Sequence, residues 1–241
     1  MNEHKYVVIN ARSSSAVATS LALCICMALT VYLSFSGRTV SSTYTSAGTV
    51  QVIIDPGHGG MDGGTKAADG TLEKDINLDI SLKLNEIMEA DGIRTVLTRK
   101  DDNIDYGNSK SVYEKKRYDI NSRMKYINEN PQSVFISIHQ NYFDESKYSG
   151  AQVFYSGNNE KSEKLASCIQ QSIISRVQPE NTRQIKKIGT EIYLLNNAQI
   201  PAVMVECGFL SNENEAALLN DNNYRMKIAQ AIYEGLKDYM K

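Results

Sequence analysis

The chain has 241 residues, 41% of them hydrophobic and 22% charged, which suits a soluble globular core: one domain plus an appendage. Its formal net charge of −2 argues against a nucleic-acid partner held through phosphate neutralisation. No internal repeat or long run of one charge sign points to a repeat array or a charged tail.

The appendage comes first. No charged residue occurs from Ser13 to Gly37, and "AVATSLALCICMALTVYLSF" is largely apolar. About 20 such residues in a helix cross a bilayer. Lys5 and Arg12 precede the stretch, so the positive-inside rule leaves residues 1–12 in the cytoplasm and everything beyond Gly37 outside. Residues 13–37 therefore read as a transmembrane signal-anchor. A cleaved signal peptide is the competing reading, with Ser34 and Ser36 as small residues near a cut. On either reading the rest of the chain is exported, and on the first the membrane is a partner. Residues 38–48 are rich in Ser and Thr and form a linker that reaches about 40 Å when extended.

Residues 49–241 form the working domain. Cys24 and Cys26 fall in the apolar segment, leaving Cys168 and Cys207, which read as two buried thiols rather than a bridge. A domain of this length stands on its hydrophobic core without a disulfide.

In chain order, "TVQVIID" is an apolar strand. "INLDISLKLNEIMEADG" is a helix with Ile76, Ile80, Leu84, Ile87 and Met88 on one face and Gly92 as its stop. "IRTVLTR" is a second strand, "SVYEKKRYDINSRMKYINENP" a helix ended by Pro131, "SVFISIH" a third strand and "AQVFYSG" a fourth. The helix "EKSEKLASCIQQSIISRVQ" and the strand "AVMVECGF" follow. A closing helix carries Tyr224, Ile228, Ala231, Ile232, Gly235, Leu236 and Tyr239 on one face. Strands alternating with helices predict an α/β fold: a mainly parallel twisted sheet covered by helices on both faces, in a single catalytic domain.

Functional groups in such sheets collect beyond the carboxyl ends of the strands. Three strands end alike: "VQVIID" runs into His58, "SVFISI" into His139 and "PAVMV" into Glu206. Glu73 opens the first helix, which starts at the same edge. Two imidazoles and one carboxylate, with a fourth position open for water, are a ligand set for one catalytic Zn²⁺. His58, Glu73 and His139 are thus the candidate metal ligands, and Glu206 is the candidate general base on the metal's water. The glycines around His58 let metal and substrate approach the backbone.

Each residue has a bland reading on its own. His58 could be a turn residue, His139 a core histidine, and Glu73 a favourable charge at a helix N-terminus. Glu206 is harder to dismiss, because a carboxylate between "AVMV" and "CGFL" is costly to bury without a partner or a task. "GHGGMDGG" lacks both the dinucleotide-binding spacing and the Lys-Ser/Thr of a P-loop. A Cys207–His139 hydrolase is disfavoured, since neighbouring residues of an extended segment face opposite ways.

"IIDPGHGGMDGG", "LEKDINLDI", "FISIHQN" and "VECGFLSNENEAALL", in this order, resemble the zinc-dependent N-acetylmuramoyl-L-alanine amidases of the amidase-3 type. "SGAQVFYSG" and "ENTRQIKKIGTEIYLL" are similar to the germination-specific branch found in endospore formers. The resemblance implies His58, Glu73 and His139 as zinc ligands and Glu206 as the catalytic carboxylate. It implies a peptidoglycan substrate, cut at the amide between the lactyl group of N-acetylmuramic acid and L-alanine. In the germination-specific branch that step leads to muramic-δ-lactam in the spore cortex. This implies functional pairing with a muramic acid deacetylase, location in the space between forespore and mother cell, and an activating lipoprotein partner. Self-inhibition by an inserted helix is not expected, because only one helix is predicted between His139 and Glu206. The alternative is a peptidoglycan-binding or regulatory module on the same fold, and a carboxypeptidase acting on the stem peptide is a third reading.

Three neighbours have open roles. Asp55 either orients His58 or caps a turn. Asn141 either binds the substrate amide or satisfies backbone groups. Arg123 either meets a peptide carboxylate or is an exposed helical arginine.

Overall fold

The computed structural model describes residues 51–241; the apolar segment at 13–37 and the linker at 38–48 lie outside them. Among the described residues, no helix is long and apolar enough to cross a membrane.

The elements in order are β1 (Val52–Pro56), α1 (Glu73–Ala90), β2 (Thr95–Leu97), α2 (Val112–Glu129), β3 (Val134–Asn141), β4 (Gln152–Tyr155) and α3 (Lys161–Arg176). There follow β5 (Lys186–Lys187), α4 (Tyr193–Asn197), β6 (Ala202–Phe209), α5 (Glu213–Asn220) and α6 (Asn222–Met240). The six strands form one sheet in the order β2-β1-β3-β6-β4-β5. All neighbouring pairs are parallel except β4 with β6. The expected α/β fold with a mainly parallel sheet is present. The antiparallel pair has a local cause: the loop between Asn141 and Gln152 holds no helix, and a parallel return needs a longer crossover.

Strand alternation divides the hydrophobic residues between two faces. Val52, Ile54, Ile136, Ile138, Val203 and Val205 point into the larger core, together with Ile80 and Leu84 of α1, Ile169 of α3 and Ile232 of α6. Burying each of these large side chains is worth about 1.5–3 kcal/mol. Ile53, Phe135, Ala202 and Met204 point the other way, into a smaller core closed by Ile127 of α2 and Leu195 of α4. Asp55, Ser137, His139 and Glu206 continue this second set along their strands, so the thinly covered face carries the polar groups.

Three elements escaped the sequence reading: the two-residue β5, the one-turn α4, and α5, which is capped by Asn212 and separated from α6 by Asp221. Two helices, not one, therefore lie between His139 and Glu206. The thiols are free; Cys207 is buried, but Cys168 is only half-buried, contrary to the expectation for it.

Candidate metal centre

β1 ends at Pro56, and the chain turns at once through Gly57 and His58. His58 has φ 60°, the only positive φ at a non-glycine among the described residues. That left-handed conformation costs an L-residue on the order of 1–2 kcal/mol. It turns the imidazole toward the first residue of α1. A Cβ on Gly57 would lie 2.3 Å from the His139 ring, and one on Gly64 would lie 2.6 Å from Glu73 Oε2 and 2.7 Å from the His58 ring. These two glycines are therefore the space in which the three side chains meet.

Glu73 Oε1 lies 3.0 Å from His139 Nδ1 and 3.3 Å from His58 Nε2. The rings of His58 and His139 stand edge to face, 5.0 Å between centroids. One donor atom from each of His58, Glu73 and His139 falls within 4.8 Å of the others. The carboxylate is also locked from outside. Thr65 donates from its backbone N at 2.8 Å and its Oγ1 at 3.1 Å to Oε2. Gln140 N at 3.1 Å and Asn77 Nδ2 at 3.3 Å donate to Oε1. Burial pushes the Glu73 carboxyl up, but His139 and His58 more than reverse this and draw it well below the usual carboxylate range. Burial pulls His58 down, while Asp62 and Glu73 raise it to about 9. An ionised carboxylate and two imidazoles converging at this separation fit a small divalent ion, which would take the place of the shared protons.

Glu206 pairs with His139 across the β3–β6 ladder. Its Oε2 is buried with no hydrogen-bond partner, and burial raises the carboxyl to about 7, with Glu73 adding to the rise and the two histidines opposing it. Glu206, His58, His139, Gly57, Arg123 and Tyr193 line one cleft of about 330 Å³. The unforeseen α4 adjoins this cleft through Tyr193 and Leu194 without filling it. A larger recess of about 570 Å³, beside Asn108 and Tyr118, holds none of these groups. Cys207 points into the opposite core, and burial pushes its thiol well above the usual range, which removes it as a nucleophile.

The three neighbours with open roles fall out differently. Arg123 is not an exposed helical arginine: it is 5% exposed and bonded to Asp55, Asp119, Pro56 O and His58 O. Asp55 does not touch the His58 ring; it accepts from Arg123, from Thr98 Oγ1 at 2.6 Å and from Ser137 Oγ at 2.6 Å. Asn141 accepts from Tyr142 N at 2.8 Å, satisfying backbone beside the bulge in β3.

Sequence reasoning missed three residues. Asp62 lies 3.3 Å from His58 Nδ1 and is the carboxylate that orients that ring. Asn77 bonds both Glu73 and Gly57 O, and its position four residues after Glu73 was a signal that the two share a helix face. Arg99 donates to Pro56 O and Gly57 O from the end of β2.

The pattern of the N-acetylmuramoyl-L-alanine amidase family, amidase-3, matches residues 52–238. The chain is 36% identical over 189 residues to the germination-specific N-acetylmuramoyl-L-alanine amidase of Bacillus subtilis (strain 168), covering 78% of each chain. The CwlD amidase from Clostridioides difficile, solved in complex with the GerS lipoprotein, superposes with a TM-score of 0.76 at 44% identity, over 79% of this chain and 98% of that one. The N-acetylmuramoyl-L-alanine amidase AmiC2 of Nostoc punctiforme gives a TM-score of 0.69 at 28% identity, over 81% of this chain and 99% of that one. With the fold, the cleft and these likenesses in agreement, the chain belongs to the amidase-3 family of N-acetylmuramoyl-L-alanine amidases and is a hydrolase of peptidoglycan.

Proposed function

We propose that the enzyme is zinc-dependent and acts on spore-cortex peptidoglycan, removing peptides from muramic acid as the step that precedes muramic-δ-lactam formation and germination. The observation that carries the metal reading is the meeting of His58, Glu73 and His139 at one point, with Glu206 lining the same cleft and its buried Oε2 left without a partner. Held by that trio, zinc would supply Lewis acidity and a water acidified toward a pKa of about 7. Glu206, itself raised to about 7, is poised to accept a proton on its carboxylate and return it to the departing L-alanine amine. Asp62 and Glu73 keep the imidazoles oriented, and Thr65, Asn77 and Gln140 keep the Glu73 carboxylate from swinging.

The cortex role is supported by the 36% identity to the germination-specific relative. The C. difficile neighbour, solved with a lipoprotein, supports an activating lipoprotein as partner. A muramic acid deacetylase would consume the product. The apolar segment at 13–37 supports membrane attachment on the outer side, between forespore and mother cell.

The test incubates the full chain with purified cortex peptidoglycan, with zinc or with a chelator, and counts newly exposed L-alanine amino groups. Release that stops on chelation and resumes on adding zinc is the expected result. Release that ignores the chelator overturns the metal reading, and new termini other than L-alanine overturn the bond assignment.

A further inference from the structure

The strained residue of the site is held by a side chain outside the metal trio. Arg123 is buried on α2 and flanked by two carboxylates, with Nη1 2.7 Å from Asp55 Oδ1 and Nε 3.1 Å from each oxygen of Asp119. Its other contacts are main-chain carbonyls: Nη1 donates to Pro56 O at 2.7 Å and Nη2 to His58 O at 2.5 Å. The second buried arginine nearby, Arg99, donates to Pro56 O and Gly57 O. A residue in a sparsely populated conformation persists only where its surroundings over-determine it. At His58, Arg123 supplies that constraint.

We propose that Arg123 is a positioning residue for His58. Anchored on Asp55, it clamps the His58 carbonyl, keeps the backbone left-handed, and so presents Nε2 to Glu73 and to the metal. This inference rests on the zinc reading. The guanidinium suits the task, because its planar fork reaches a carboxylate and two carbonyls at once. A lysine would neutralise Asp55 but would lack the fork. Asp55 is itself fixed by Thr98 of the neighbouring loop and Ser137 of β3, so the line of contact runs from the sheet through Asp55 and Arg123 to His58. Arg117, on the same helix, is exposed and lies over the Tyr113 ring, and it serves as a control.

The test uses the full chain and reads metal binding rather than turnover. Zn²⁺ affinity is measured by competition with a chromogenic chelator, the Co²⁺ complex by its visible spectrum, and stability by melting of the metal-free protein. Arg123→Lys is expected to remain folded at the assay temperature, to bind Zn²⁺ about 10–100-fold more weakly, and to shift the Co²⁺ bands. Arg117→Lys should change none of these. The double variant Asp55→Asn/Arg123→Gln removes the buried pair as a neutral unit, so a folded protein can still be measured if Arg123→Lys does not fold. It should lose affinity to a similar degree. Parent-like Zn²⁺ affinity and Co²⁺ spectrum in either folded variant overturn the proposal and leave Arg123 a stabilising residue only. Failure of the parent chain to bind either ion overturns the zinc reading, and the positioning role falls with it.

Discussion

Glu206 and His139 are partners across the β3–β6 ladder, so their side chains leave the same face of the sheet, and Glu206 Oε2 ends there without a hydrogen bond. A buried acceptor left unsatisfied costs about 1–3 kcal/mol, and such groups persist in native proteins chiefly where they have a task. Replacing Glu206 by Gln preserves shape and removes the base. Glu206→Gln is expected to keep metal affinity within a few-fold and to lose at least about 10²-fold in turnover. Amide release from peptidoglycan, measured beside a zinc-binding isotherm, checks both halves, and a fully active glutamine variant would sink the assigned base.

Gly57 is tested by adding a single carbon. A Cβ there would sit 2.3 Å from the His139 ring, so the ring must leave its place facing Glu73. Gly57→Ala is expected to weaken zinc binding by tenfold or more, roughly the lower end of what displaced supporting contacts cost a metal site. Competition with a chelator gives the number, and unchanged affinity would show that the ring has room the structure does not reveal.

Asn77 is a polar residue on the apolar side of α1, and all its bonds are internal. Its Nδ2 donates to Gly57 O at 3.1 Å and to Glu73, and its Oδ1 accepts from Gln140 Nε2 at 3.1 Å. Asn77→Ala would leave buried groups unpaired, a loss of about 1–3 kcal/mol. Urea unfolding of the metal-free protein should show this as a lower midpoint with an unchanged slope. A midpoint equal to the parent's would mean that water replaces the amide.

Asp55 sets an acid limit on stability. Burial alone would push its carboxyl up, but Arg123, Ser137 and Thr98 outweigh burial and hold it below its ordinary value of 3.8. A lowered folded value means that the stabilisation is complete above pH 3.8 and disappears as pH falls from there through the folded value. Asp55→Asn should cost about 1.5–3 kcal/mol at neutral pH, because Arg123 loses a buried charge-assisted hydrogen bond while its pair with Asp119 remains. The gap between parent and variant should stay constant down to about pH 4 and close below it. Denaturation midpoints over an acid series would reveal a gap that instead widened on acidification, which would contradict the sign.

Much of the site was legible because its positions are local consequences of the chain. Apolar runs that stop at His58, His139 and Glu206 mark strand ends, and strands preceding helices in a parallel sheet put those ends on one edge. Glu73 returns to that edge because a helix after a strand starts there. The opposite facing of Glu206 and Cys207 follows from the two-residue period of a strand.

The supporting residues were not legible in this way. Only Arg123 and Ile127 of α2 are buried, so this helix has no apolar stripe from which to read the face that docks. Arg123 meets Asp55 across 68 residues, a contact set by how α2 is rotated and seated on the sheet. Asp62 meets the ring of a His58 whose backbone is left-handed, and β4 runs antiparallel to β6 after a connection that carries no helix; neither feature is written in a local pattern.

By itself, then, the sequence determined the longer strands and helices, the shared edge and the four chemical groups brought to it, since these follow from periodicity and chain direction. The tertiary structure alone decided which side chains hold those groups still. Hydrogen bonds between residues distant in the chain depend on the rotation and depth of each docked element, and neither quantity is carried by local pattern.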